Sequence, residues 1–309
     1  FNALVSTAKA EELVDERPLT LRPKEVPLGE NWTAGSNLND EINRGSVKLR
    51  DRFRGNVINP LASDEAKIQV LSLMNSKAQS RSSVGAEGFK TYAFDNWQYT
   101  DSMIFWDGKI PTPDVIDAAH RNGVPIYGTL FFNWSSSSAD MAVLTNFLRE
   151  DSPGSGTFPE ARKYVDIAKY YGFDGYFINQ ETTGSGIYGK GVKMRDFMIY
   201  AKKYAESVNY PIRFSWYDAM TNEGPRNHYN AVNGYNDYFV KPRGGVIPGD
   251  EFFINFNWTK YGNEGTAEHM KMIGRSPYDA YAGFELQQNS INTGIRWDEL
   301  ISSKDRKAI

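Results

Sequence analysis

Short apolar runs recur along the chain from about residue 68, and helix-like segments separate them. The runs are "IQVLSLM" (68–74), "SMIFWDG" (102–108), "VPIYGTLFF" (124–132), "DGYFINQE" (174–181), "IRFSWYDA" (212–219), "DYFVKP" (237–242), "EFFINFNW" (251–258) and "AYAGFELQ" (280–287). Each is rich in β-branched or aromatic residues, and none alternates cleanly between apolar and polar. That is the pattern of strands buried on both faces. Between them, "TPDVIDAAHRNG" carries helix punctuation: Thr112 at the N-cap, Pro113 at the first helical position and Gly123 as the stop. "EARKYVDIAKYYG" and "GVKMRDFMIYAKKYAES" place apolar residues three and four apart, the spacing of one helix face. "FDNWQYTD" reads as a short first helix, because a parallel crossover is needed there.

Eight strands alternating with helices predict an α/β fold, a (β/α)8 TIM barrel over residues 66–309. Residues 1–65 are polar and extended, as in "DERPLTLRPKEVP", and are expected to form an N-terminal extension packed on the barrel. "RWDELISSKDRKAI" reads as a last helix.

Composition narrows the chemistry. The net charge of −3 gives no electrostatic footprint for nucleic acid. No apolar run approaches the roughly 18 residues needed to span a bilayer, so membrane insertion is not expected. The chain has no cysteine, which removes disulfides, thiolate metal sites and a cysteine nucleophile. A cysteine-free chain fits a secreted bacterial protein. The start at Phe1, without an initiator Met, is expected of a processed or trimmed piece. The three histidines, His120, His228 and His269, do not pair, so no metal site is expected. No Gly-Xaa-Ser-Xaa-Gly or phosphate-binding glycine loop occurs.

In a barrel of this class the active site lies at the C-terminal ends of the strands. Those ends read Asp107, Asn133, Trp134, Asn179, Glu181, Trp216, Tyr217, Asp218, Asn257, Trp258, Glu285 and Gln287. Aromatic faces beside amides and carboxylates suit a sugar, whose rings stack and whose hydroxyls take directed hydrogen bonds. Aromatic residues also collect at barrel rims for packing alone. In "FINQE" the side chains of Asn179 and Glu181 share one side of the strand, and Gln180 faces the other. Common glycosidases use two carboxylates, whereas this strand offers one acid beside a neutral amide. That pairing suits a substrate carrying its own nucleophile, the carbonyl oxygen of a 2-acetamido group. Glu181 would then act as general acid and base.

"DGYFINQE" resembles the strand-four signature of family 18 chitinases, Asp-Gly-h-Asp-h-Asp-h-Glu with h apolar. Asp174, Gly175 and Glu181 match it, while Phe177 and Asn179 stand where the inner aspartates would be. The Asn-Xaa-Glu version resembles glycoside hydrolase family 85, endo-β-N-acetylglucosaminidases that cut the chitobiose core of N-glycans. "WQYTDSMIFW" (97–106), "IPTPDVIDAAHRNGVPIYGTLFF" (110–132) and "FSWYDAMTNEG" (214–224) are similar to that family too, and the resemblance covers roughly residues 65–290. It implies that Asn179 orients the 2-acetamido group, that Glu181 is the acid/base, and that Tyr217 hydrogen-bonds near the acetamido group. His228 falls where some members carry Trp. The expected substrate contacts are Trp216, Asp218, Trp134, Asn133, Asn257, Trp258, His228, Glu285 and Gln287. The implied partners are N-linked glycans of glycoproteins, with no cofactor and a secreted or cell-surface bacterial location. Family members carry β-sandwich domains after the barrel, so a catalytic fragment is expected. A family-18-like chitinase and a catalytically dead glycan-binding barrel are the rival expectations. The sequence says nothing of oligomeric state.

Overall fold

The computed structural model describes residues 32–35, 44–52, 65–72, 94–106, 108–286, 294 and 296–300. Among these, seven strands lie in one sheet in chain order: β1 (Gln69–Ser72), β2 (Ser102–Phe105), β3 (Ile126–Phe132), β4 (Gly175–Gln180), β5 (Arg213–Tyr217), β6 (Glu251–Ile254) and β7 (Ala280–Ala282). The pairings of β2 with β3, β4 with β5, β5 with β6 and β6 with β7 are all parallel. The described residues also form five α-helices: α1 (Pro113–Arg121), α2 (Ser138–Phe147), α3 (Pro159–Tyr171), α4 (Lys190–Ser207) and α5 (Lys260–Met272). Sequential parallel strands joined through helices are the α/β barrel architecture that the hydrophobic pattern predicts.

The run "DYFVKP" is the exception. Residues Asp237–Phe239 form a 3-10 turn, not a strand. The Asp237 carbonyl accepts from Val240 N–H at 3.0 Å and Lys241 N–H at 2.8 Å, which curls the segment. Its apolar residues serve packing instead: Phe239 stacks on Trp216, with centroids 3.8 Å apart. "FDNWQYTD" is likewise only a 3-10 turn, Trp97–Tyr99. The last segment is a 3-10 turn over Trp297–Leu300, and residues 301–309 lie outside the described residues.

Contacts gather the chain into two compact units. The first comprises Phe1–Arg54, Val70–Thr129 and Asp166–Asp174. Here the helix punctuation of α1 appears in place. Thr112 is extended and its carbonyl accepts from Ile116 N–H at 3.0 Å, although its hydroxyl makes no cap bond. Gly123 takes φ 68° and ends the segment, a conformation that disfavours a side chain. Asp174 joins three elements: its Oδ2 accepts from Ile126 N–H at 2.8 Å and meets His120 Nε2 at 2.8 Å. His120 Nδ1 meets the Val47 carbonyl, and the Asp117 carboxylate accepts from Ser46 and Val47 N–H.

The second unit comprises Gly55–Gln69, Leu130–Val165 and Gly175–Ile309. Every residue of β4 is buried, as a parallel strand covered on both faces requires. Gly175 opens it at φ 146°, and a Cβ there would collide with the Arg213 carbonyl of β5. Glycine at 175 therefore lets β4 lie against β5 in register, with Ile178 opposite Trp216.

Candidate active site

All the groups of the candidate site belong to the second unit. On one side β4 presents Phe177, Asn179 and Glu181. Phe177 meets Tyr217 at 6.2 Å and Phe253 at 5.9 Å between ring centroids. This apolar cluster occupies the level where the chitinase signature would have its first inner aspartate. One step along the same face, Asn179 is 3% exposed and donates from Nδ2 to Glu181 Oε2 at 2.9 Å. Glu181 Oε1 lies 3.4 Å from His228 Nε2.

Gln180 takes the opposite side and is fully buried. Its Oε1 accepts from Thr182 N–H at 2.8 Å, and its Nε2 donates to the Thr182 carbonyl at 2.9 Å. The amide thus substitutes for a neighbouring strand at the end of β4. The backbone of Glu181 is held as well: its N–H donates to the Phe132 carbonyl at 3.2 Å, and its carbonyl accepts from Arg226 at 2.7 Å.

Tyr217, on β5, is 8% exposed and donates its hydroxyl to Asn255 Oδ1 at 2.8 Å. Burial, with the negative charges of Glu181, Asp218 and Glu285, drives its pKa well above the ordinary tyrosine value and keeps the phenol protonated. Its ring lies 5.8 Å from the His228 ring, and His228 stacks on Trp134 at 5.3 Å and 22°. The Arg226 guanidinium sits 3.7 Å from the Trp134 ring centroid. Trp134 is nonetheless 63% exposed, so it retains open aromatic surface.

Asp218 is fully buried, and burial pushes its pKa up to about 6 against four N–H donors. The expectation that it contacts substrate is corrected: its oxygens face the N–H groups of Tyr229, Asn230 and Asn255 and the Asn236 amide. Trp216 is also corrected. Next to Tyr217 on a strand it must face the other way, where it is fully buried against Phe239. Trp258 is 1% exposed and donates Nε1–H to the Gly283 carbonyl at 2.8 Å, so it is core rather than a sugar platform.

Asn133 is exposed, and its amide is turned to Asp140 Oδ1 at 2.8 Å. Asn257 is exposed and its N–H donates to Asn230 Oδ1 at 3.0 Å. Glu285 is half-buried, and its charge reaches Tyr217. Gln287 and Asp107 lie outside the described residues. The structure therefore brings together Asn179, Glu181, Tyr217, His228 and Trp134.

Asn255, Arg226 and Asn230 escape a sequence reading. β6 stops at Ile254, so Asn255 is the first residue past the strand, on the parity of Glu251 and Phe253. Reading the strand on to Trp258 hides it. Arg226 and Asn230 sit in a long loop with no local signal except Asn230 itself, an asparagine at φ 54°.

Residues 74–309 match the model of "Glycosyl hydrolase family 85". The cytosolic endo-beta-N-acetylglucosaminidase of Danio rerio is 28% identical over 251 residues, 79% of this chain and 32% of that protein. Its counterpart in Mus musculus is 25% identical over 236 residues, 73% and 29%. The chain spans about a third of the length of these curated relatives. Among solved structures, the glycoside hydrolase domain of Endo-D from Streptococcus pneumoniae R6 superposes with a TM-score of 0.87 at 53% identity, covering 94% of this chain and 46% of that one.

Proposed function

Because the chain belongs to glycosyl hydrolase family 85, we propose that it is a retaining endo-β-N-acetylglucosaminidase that splits the GlcNAc-β1,4-GlcNAc core of N-linked glycans. The single observation that carries the mechanism is the pairing of Asn179 and Glu181, an amide hydrogen-bonded to one carboxylate. Because Nδ2 of Asn179 is directed at Glu181, its Oδ1 is left to accept the N–H of a substrate 2-acetamido group. That bond increases electron density on the acetamido carbonyl oxygen and aims it at the anomeric carbon. As the oxygen bonds to that carbon, the bond to the leaving sugar's O4 breaks and Glu181 supplies a proton to O4. The acetamido group closes to a protonated oxazoline, whose N–H stays hydrogen-bonded to Asn179 Oδ1 and whose positive charge balances the Glu181 carboxylate. Water then adds to the anomeric carbon as the bond from that carbon to the oxazoline oxygen breaks and restores the acetamide, and Glu181 takes the water's proton. Two displacements at one carbon give retention.

Asp218, a candidate for a second carboxylate, is buried and engaged by four N–H groups, which favours the substrate's own nucleophile. Trp134 and His228 form the aromatic wall beside Glu181, and we assign them, with the exposed Asn257 and Asn133 and half-buried Glu285, to sugar contacts. We also assign residues 66–309 to the barrel and 1–65 to an extension packed on it; the bonds from Gly45, Ser46 and Val47 to Tyr171 and Asp117 favour this. A bacterial, secreted or surface protein is the source we infer, supported by the 53% identity to the streptococcal domain. The curated relatives are described as cytosolic, which belongs to those proteins. No described helix is long and apolar enough to cross a membrane.

The test compares two variants on two substrates. Asn179→Ala should lose cleavage of an intact N-glycan yet still consume a chemically prepared sugar oxazoline, since its task ends once that ring exists. Glu181→Gln should fail on both. Equal losses on both substrates would mean one shared role and would sink the substrate-assisted reading. Mass spectrometry of the wild-type product distinguishes the rivals: a single GlcNAc left on the protein supports the proposal, and release from chitin oligomers alone supports a chitinase.

A further inference from the structure

Asp218 follows Tyr217 directly and has no access to a ligand, yet it holds more of the site's framework than any other single side chain described here. Its Oδ1 accepts from Tyr229 N–H at 3.3 Å and from Asn236 Nδ2 at 3.0 Å. Its Oδ2 accepts from Asn230 N–H at 2.6 Å and from Asn255 N–H at 3.5 Å. The first three donors come from the loop that carries His228, and the fourth comes from the residue that follows β6.

Asn230 continues the connection. It adopts φ 54°, a left-handed conformation that asparagine tolerates better than most residues. From there its Oδ1 accepts from Asn255 Nδ2 and from Asn257 N–H, both at 3.0 Å. Its Nδ2 donates to the His228 carbonyl at 3.1 Å. Asn255 then presents Oδ1 to the Tyr217 hydroxyl at 2.8 Å. The hydrogen bonds form a ring that leaves the chain at Asp218, passes through Asn230 and Asn255, and returns at the side chain of the preceding residue.

We propose that Asp218 is a positioning residue for the reaction, acting through Asn230 and Asn255 to fix the Tyr217 hydroxyl and through the loop to seat His228 beside Glu181. The inference rests on the functional reading given above. A carboxylate is required because all four approaching groups are N–H donors. Only an acceptor with two oxygens satisfies them, and a primary amide at 218 would turn its own NH2 against two of them. Burial works against the charge, so its retention in a fully buried place indicates that the four bonds are needed where they are.

The experiment uses the whole chain and an N-glycopeptide. Wild-type cleavage between the two core GlcNAc residues comes first; its absence would remove the functional reading and this inference with it. Given cleavage, Asp218→Asn should lower kcat by about 10- to 100-fold, short of or reaching the roughly 10²–10³-fold loss of a direct donor. KM should change by no more than about threefold. Asn230→Gly keeps the left-handed backbone and deletes the side-chain bonds, so it should lower kcat in the same way. It carries the test if Asp218→Asn does not fold. A double-mutant cycle separates positioning from general loosening. Asn255→Ala should cost activity in the wild type and almost nothing when Tyr217 is already Phe, because the hydroxyl it orients is gone. Additive losses in that cycle, or variants that alter KM alone, would overturn the proposal.

Discussion

Asn179, Gln180 and Glu181 are consecutive, polar and similar in size, and they take different tasks because a strand sends neighbours to opposite sides. The odd positions face Tyr217 and His228, and the even one closes the strand. Glu181 is the one acid of the strand tip, so Glu181→Gln keeps the shape and removes the proton transfer. General acid–base catalysis contributes about 10²–10⁴-fold, and turnover on an N-glycan should fall by at least that much with glycan affinity little changed. Retention of more than about a tenth of wild-type turnover, measured by mass spectrometry, would refute the assignment. The same alternation explains what a sequence reading catches and misses. It pairs Asn179 with Glu181 correctly, because parity is printed in the sequence. Applied to "SWYD", parity would also have turned Trp216 and Asp218 away from Tyr217, whereas composition alone draws all three into the sugar site. Trp258 is lost for a different reason: where β6 ends is decided by packing that the local sequence does not encode.

At the scale of elements, seven of the apolar runs are strands, since buried parallel strands need continuous apolar character. "DYFVKP" shows the limit of that signal. A short apolar run looks the same whether it pairs in a sheet or curls under one, and only the Asn236-Asp237 pair before it marks a turn. Helix α2 lies outside the simple alternation, but its start is legible in Ser137, whose hydroxyl accepts from Asp140 N–H at 3.1 Å. The link between α1 and the residue before β4 makes a further prediction. His120 is 3% exposed, and each ring nitrogen meets an oxygen, one of Asp174 and one of Val47. Burial pulls its pKa down, but the bond to Asp174 and that residue's charge, with Val47 and Asp117, raise it above the usual 6.5. A raised folded value means that the stabilisation is complete below the unfolded pKa and fades as pH rises through the folded one. In thermal melts, His120→Gln should therefore cost most at about pH 6 and progressively less toward about pH 9. A difference independent of pH would mean that the pair is neutral in the folded protein.

Over the whole molecule, the candidate site draws all its described groups from the second compact unit, while the His120–Asp174 link belongs to the first. The site and that link are thus separable in experiment, and the pH-dependent melt should shift without a matching change in turnover per folded molecule. One feature of the second unit reaches further. Gln180 terminates β4 with its own side chain, and Thr183 N–H is fixed to the Ser135 carbonyl at 2.9 Å. The local anchoring of the acid is finished before residue 184, and its remaining hold comes from Arg226, whose guanidinium donates to the Glu181 carbonyl at 2.7 Å. The segment from Gly184 to Gly189 follows, tied down by the buried Ile187 and by Gly189 N–H, which donates to the Glu223 carbonyl at 2.6 Å, so a change that keeps those two contacts should leave the chemistry untouched. Grafting that segment from other family members should leave cleavage of a trimmed-core glycan within about threefold while redistributing preference among larger glycans, read by competition between labelled substrates. If every graft lowers trimmed-core turnover as much as it lowers the rest, the acid depends on its neighbouring loop. If the grafts behave as expected, recognition at this segment is separable from the proposed chemistry at Glu181.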